Sequence, residues 1–195
     1  MEKLPGTTAE VKCVMKKIET KGIESEHLDS EQATINEVME KLVSSSYVHL
    51  ACHAIQDTAN PLQSAFYLHD GRLDLSEIMK HNIPNAEIAF LSACQTSTGD
   101  EKLSEEAVHL AAGMLAAGYK GVVATMWSIR DRYGPEVAEE FYGHLFASNA
   151  EEGGEKRHGT RAAYALQVAI QKLRARIGDS EEGILAWVPY VHFGI

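Results

Sequence analysis

Three short runs rich in apolar residues most constrain how this chain can fold: Tyr47–Cys52, Ile88–Ala93 and Gly121–Trp127. Each is too short for a helix of ordinary length and lacks the alternation of a half-exposed strand. Runs of this kind read as strands buried on both faces, which is the habit of parallel sheets. Helical patterns separate them. Ile35, Val38, Met39, Leu42 and Val43 repeat at helical spacing. Leu103–Tyr119 is apolar and rich in small residues, and Gly118 is placed to end it. Pro135–Phe146 and Arg161–Ile177 are amphipathic, and Ser148–Gly159 between them reads as a surface loop. The alternation predicts an α/β domain with a mainly parallel sheet and helices on both faces.

Local signals refine this. Thr7 with Glu10, and Thr34 with Glu37, have the spacing of capping boxes. An extended piece is expected over Gly22–Leu28. Asp70-Gly71 between Ser64–His69 and Arg72–Leu75 predicts a hairpin with positive φ at both turn residues. Asp74 is placed to cap a short helix through Met79, and Trp187–Phe193 reads as a last strand.

The 195 residues carry a formal charge of −10, which argues against a nucleic-acid surface built on counterion release. Three cysteines, Cys13, Cys52 and Cys94, form no disulfide framework, and the expectation is a reducing, cytoplasmic setting. No apolar stretch is long enough for a transmembrane helix, so no membrane partner is expected. Residues 1–195 read as one domain.

In parallel α/β sheets, chemistry gathers beyond the carboxyl ends of the strands. His53 follows one apolar run and Cys94 follows the next, 94 − 53 = 41 residues later. If the two strands are neighbours, about 4.8 Å apart, imidazole and thiol would face each other. A thiol has a free pKa of about 8.5 and needs a base or cation to become the nucleophilic thiolate. Spacing alone leaves this open against a buried, structural cysteine. Cys13 and Cys52 read as packing thiols. His49 and His53 would lie about 13 Å apart on one strand, and no metal-ligand spacing occurs elsewhere, so no metal is expected. Gly113 to Lys120 has the outline of a phosphate loop, but its lysine is displaced by one and its glycines sit in a helical pattern. No G-x-S-x-G or G-x-G-x-x-G is present.

Val48-His49-Leu50-Ala51-Cys52-His53-Ala54, Asn60–Ala65 and Leu91-Ser92-Ala93-Cys94-Gln95-Thr96 resemble the CHAT domain (caspase, HetF associated with TPRs). Asp70-Gly71, Ala107–Gly113, Leu115–Gly118, Val123–Trp127 and Trp187–Pro189 continue the likeness, which covers nearly the whole chain from Leu4. The Leu103–Leu115 region and Met126-Trp127-Ser128 look most like fungal TPR-CHAT proteins. The resemblance implies a three-layer αβα caspase-like fold. It also implies a cysteine endopeptidase with a His–Cys dyad at His53 and Cys94, and oxyanion donors at the Ala54 and Cys94 amides. Ser92, two before the cysteine, would line the pocket for the residue before the scissile bond. Its neutrality predicts no strong Arg or Lys preference, unless an acid such as Asp57 or Asp131 enters the pocket. Trp127 would line a subsite or serve as a core aromatic.

The family usually shows His-Gly where this chain has His53-Ala54. Alanine keeps the N–H and gives up glycine's freedom. A catalytically degenerate interaction module is therefore the second reading, and a hydrolase or transferase acting on a non-protein amide the third. The resemblance implies a protein or peptide substrate, a TPR partner region and no cofactor. The family also carries a central strand just before the Leu4-Pro5-Gly6 segment. Met1–Pro5 cannot supply it, so the sheet is expected to lack its first strand.

Overall fold

The computed structural model describes residues 5–57, 59–81, 83–92, 94–95, 106–127, 129, 132–147 and 158–195. They form two compact units, 1–27 with 129–188, and 28–128 with 189–195.

The first unit is helical. It holds α1 (Pro5–Glu19), α5 (Gly134–Leu145), α6 (His158–Ile177) and α7 (Glu181–Trp187). Helix α5 packs against α1 and α6, and α6 also meets α7. Val14 and Ile18 of α1, Phe141 of α5 and Leu173 of α6 are buried there. Pro5 opens α1, a position where its missing N–H costs nothing. Thr7 therefore lies inside the helix and is not its N-cap. Helix α7 replaces part of the expected last strand. Ser180 caps it, accepting from the Gly183 amide at 3.2 Å, and Glu181 and Glu182 suit the positive end of its dipole.

The second unit holds α2 (Ile35–Ser44), α3 (Leu75–Ile78), α4 (Glu106–Ala116) and all eight strands. One sheet has the order β1-β5-β7-β8, from Tyr47–Leu50, Ile88–Leu91, Gly121–Thr125 and Tyr190–Gly194. Its first three strands run parallel and β8 is antiparallel. β1 stands at one edge of this sheet among the described strands. A second sheet has the order β4-β3-β2-β6, from Gly71–Asp74, Ala65–Leu68, His53–Ile55 and Cys94–Gln95. Helices alternate with a mostly parallel sheet, as in the three-layer α/β caspase-like fold.

Leu42, Leu75, Met114, Leu91, Val122, Ala54, Phe66 and Leu73 belong to one connected core that serves both sheets. Gly113 is needed there. A Cβ on it would stand 2.6 Å from Leu75 Cδ1. Gly118, at φ +115°, ends the α4 segment in a conformation that favours glycine.

Several local expectations shift. Gly22–Leu28 joins no sheet. Thr34 does cap α2, accepting from the Glu37 amide at 3.3 Å. The hairpin turns at His69-Asp70, one residue early, because Leu68 pairs with Gly71. Neither turn residue has positive φ, since Ser30 is the only described non-glycine residue that does. Contacts from outside the hairpin hold this turn. The His69 amide donates to Ala33 O at 2.9 Å, and Asp70 Oδ1 accepts from the Ile35 amide at 2.8 Å. Asp74 makes no capping bond, because Arg72 Nε donates to its Oδ1 at 2.7 Å. The charge-assisted pair is the stronger use of that carboxylate. The loop expected over Ser148–Gly159 falls mostly outside the described residues, as do Leu103, Ser128 and Asp131.

Candidate active site

After each of the first two apolar runs the chain passes from the first sheet into the second. β1 ends at Leu50, and after Ala51-Cys52 the chain re-enters a ladder as β2. β5 ends at Leu91, and β6 begins at Cys94. His53 thus opens a strand of its own; it does not trail the end of β1. The cause is long-range: β2 pairs antiparallel with β3 on its other side, and nothing local signals that pairing.

Register is preserved across the division. Tyr47 pairs with Ile88 and His53 with Cys94, so the offset is 88 − 47 = 94 − 53 = 41 in both ladders. Between them the Ser92 amide donates to Leu50 O at 3.0 Å, which keeps the two segments in step. The backbone positions of His53 and Cys94 are therefore direct neighbours on parallel strands. The Cys94 side chain lies outside the described residues.

The row continues away from Cys94. His53 pairs with Tyr67 of β3, and Tyr67 with Arg72 of β4. His53 and Tyr67 are half-buried and Arg72 is exposed. The next row, Ala54, Phe66 and Leu73, belongs to the core. The second sheet is thus two-faced, with apolar residues inward and the His53 row outward. Cys52 packs against the core, as a bystander thiol should, and Cys13 is partly buried on α1.

The other candidate positions each lie just beyond the end of a strand. Ser92 is buried, just beyond β5. Trp127 is half-buried, two residues past β7, and the Met126 amide beside it donates to Pro189 O at 2.8 Å. Asp57 follows β2. Its Oδ1 accepts from the Ala59 and Asn60 amides at 3.0 and 2.8 Å, and its own amide donates to Ser64 Oγ at 3.1 Å. That carboxylate oxygen organises the loop beyond β2. Arg72 braces the same loop through Gln63 O at 2.5 Å. Among the described residues no cluster of three or more His, Cys, Asp or Glu side chains could hold a metal ion. No described helix is long and apolar enough to cross a membrane.

The family model of the CHAT domain matches residues 1–195, the whole chain. The chain belongs to the CHAT-domain family. No curated protein matches it. As a member of this caspase-like family, the chain has its departure at Ala54 explained by packing. Ala54 is 1% exposed, its methyl lies in the core, and its φ is not positive. No strain therefore sets alanine against glycine at this place in the CHAT domain.

Tyr67 is the neighbour of His53 that sequence reading missed. The hairpin itself is legible, but its register against β2 joins segments over ten residues apart. No turn or periodicity signal encodes that register.

Proposed function

We propose that this CHAT domain is a cysteine endopeptidase acting on protein substrates, in intracellular regulation or signalling, through His53 and Cys94. The observation that carries the reading is the unbroken 41-residue offset, which makes the two positions direct neighbours across parallel strands. Strands so paired lie about 4.8 Å apart, within reach of a proton exchange between imidazole and thiol.

His53 takes the thiol proton, and the thiolate adds to the scissile carbonyl carbon. The resulting oxyanion is held by the Cys94 and Ala54 amides. When the C–N bond breaks, the imidazolium returns its proton to the leaving amine. Water then attacks the thioester with His53 again as base, releasing the acid and restoring the thiol. Ser92 and Trp127 line the substrate side, and Asp57 shapes the loop beside it. The CHAT domain works in the cytoplasm and needs no cofactor, and a TPR region is its partner. With Ser92 neutral, a library varied before the scissile bond is expected to show no dominant cleavage after Arg or Lys.

The test is labelling by a thiol-reactive peptide probe in the wild type, Cys94→Ala and His53→Ala. Labelling confined to the wild type supports the dyad, and equal labelling of all three removes it. A non-catalytic interaction module is the second reading, which the resemblance leaves open. The same experiment separates them, because a module would leave Cys94 unlabelled.

A further inference from the structure

We propose that Tyr67, with Ile55 beside it, forms the subsite for the residue just after the scissile bond, and that this subsite selects a large apolar side chain. The proposal rests on the His53–Cys94 reading and extends it to one half of the substrate.

The argument starts from the order of positions along the row: Cys94, His53, Tyr67, Arg72. In a thiol peptidase the carbonyl carbon must reach the nucleophile and the leaving nitrogen must reach the acid. The substrate therefore crosses the row from Cys94 toward His53. Whatever follows the leaving nitrogen continues past His53, and the next position is Tyr67. Directly opposed residues of an antiparallel pair have Cβ atoms about 5 Å apart, so the Tyr67 side chain begins one residue's width beyond the imidazole.

The surroundings of Tyr67 fit this use. It is half-buried on the outward face of the second sheet, opposite the core residue row of Ala54, Phe66 and Leu73. Ile55 lies two residues after His53 on the same strand face and is 37% exposed. An aromatic ring and an exposed branched chain flanking the acid make an apolar wall. Arg72, the next charge along the row, is already bonded to Asp74 and Gln63 O.

The experiment uses the whole chain. An internally quenched peptide library supplies one cleaved sequence. That sequence is remade with Phe, Leu, Gly or Asp after the scissile bond, and its acyl half is also made as a methyl ester. The wild type is expected to favour Phe and Leu over Gly and Asp by about tenfold in kcat/KM. Tyr67→Ala is expected to bring that ratio within twofold and to lose at least fivefold more on the Phe peptide than on the ester. Tyr67→Phe is expected to keep the selectivity. If Tyr67→Ala does not fold, Ile55→Ser, altered at an exposed position, is expected to lower the same ratio. An unchanged ratio in these variants, or an equal loss on peptide and ester, overturns the subsite. Cleavage without selectivity in the wild type overturns it while leaving the dyad standing. No cleavage together with an unlabelled Cys94 removes the peptidase reading and the subsite with it.

Discussion

The ladders β1/β5 and β2/β6 share one register but live in different surroundings. In the first sheet β5 is buried at every residue, and β7 at all but its last. β5 and β7 have no solvent face, so each side chain there must fit, while β1 at the sheet edge is buried only at Leu50. On β2 of the second sheet burial alternates, with His53 half-buried, Ala54 buried and Ile55 exposed. The same pair of segments is therefore anchored at one end and open at the other. The anchored end fixes the register, and the open end inherits it where a substrate can reach. A catalytic pair on β2 and β6 alone would rest on two short strands. The four paired residues of β1 and β5 hold it in place.

The comparison breaks most readily by deletion in the anchored end. Phe90 is 1% exposed and stacks on His49, with ring centroids 4.8 Å apart. Phe90→Ala is expected to cost about 3–5 kcal/mol by lost transfer energy and a residual cavity. Ile55→Ser at the open end is expected to stay within about 0.5 kcal/mol. Urea unfolding measures both, and similar losses would mean that the two ladders are not differently loaded. Next in size is Gly113→Val. The added atoms would meet the buried Leu75 side chain, for an expected cost of about 1–3 kcal/mol. A midpoint unchanged from wild type would show that Leu75 yields freely.

How much of this was legible follows the same division. The apolar runs gave away β5 and β7 because burial on both faces leaves a mark in composition; β1, expected to be buried, is only half-buried over Tyr47, Val48 and His49. The runs also carried the 41-residue spacing of His53 and Cys94. The division at Leu50 and His53 left no such mark, because Ala51-Cys52 continues the apolar run while the chain changes sheets. Partner choice at Asp70 and Asp74 was hidden for a related reason. Both were read by their turn and cap propensities, yet each is claimed by a group whose position only the fold supplies. Helix α7 was legible and overlooked: Ser180, Glu181, Glu182 and Gly183 carry a capping serine and an acidic first turn.

Asp70 offers a finer test, because it joins the open sheet to α2 of the core. Its Oδ1 accepts from the Ile35 amide at the first residue of α2, beside the Thr34 cap. Asp70→Ala is expected to cost about 1 kcal/mol, the ordinary loss of an N-terminal cap. Asp70→Asn, which keeps an acceptor oxygen, is expected to recover most of it. Equal losses in the two variants would show that the hairpin turn, and not the bond to Ile35, is what Asp70 supports.

The smallest effect belongs to a histidine of the anchored sheet. His192 on β8 belongs to the anchored sheet, in register with Val123. Its ring lies over Gly121, where a Cβ would stand 2.6 Å from Nε2. Among the described residues that nitrogen has no hydrogen-bond partner. Burial pushes its pKa below the ordinary value of 6.5, because the charged form loses solvation. The unfolded chain then binds the proton more readily than the folded one. Stability is full above about pH 6.5 and falls as the pH drops from there toward the folded-state value. The urea midpoint of the wild type is expected to fall further between pH 7.5 and 5.5 than that of His192→Gln. If His192→Gln kept the full wild-type pH dependence, burial of this histidine in the anchored sheet would have no electrostatic consequence, and the contrast between anchored and open ends would fail there.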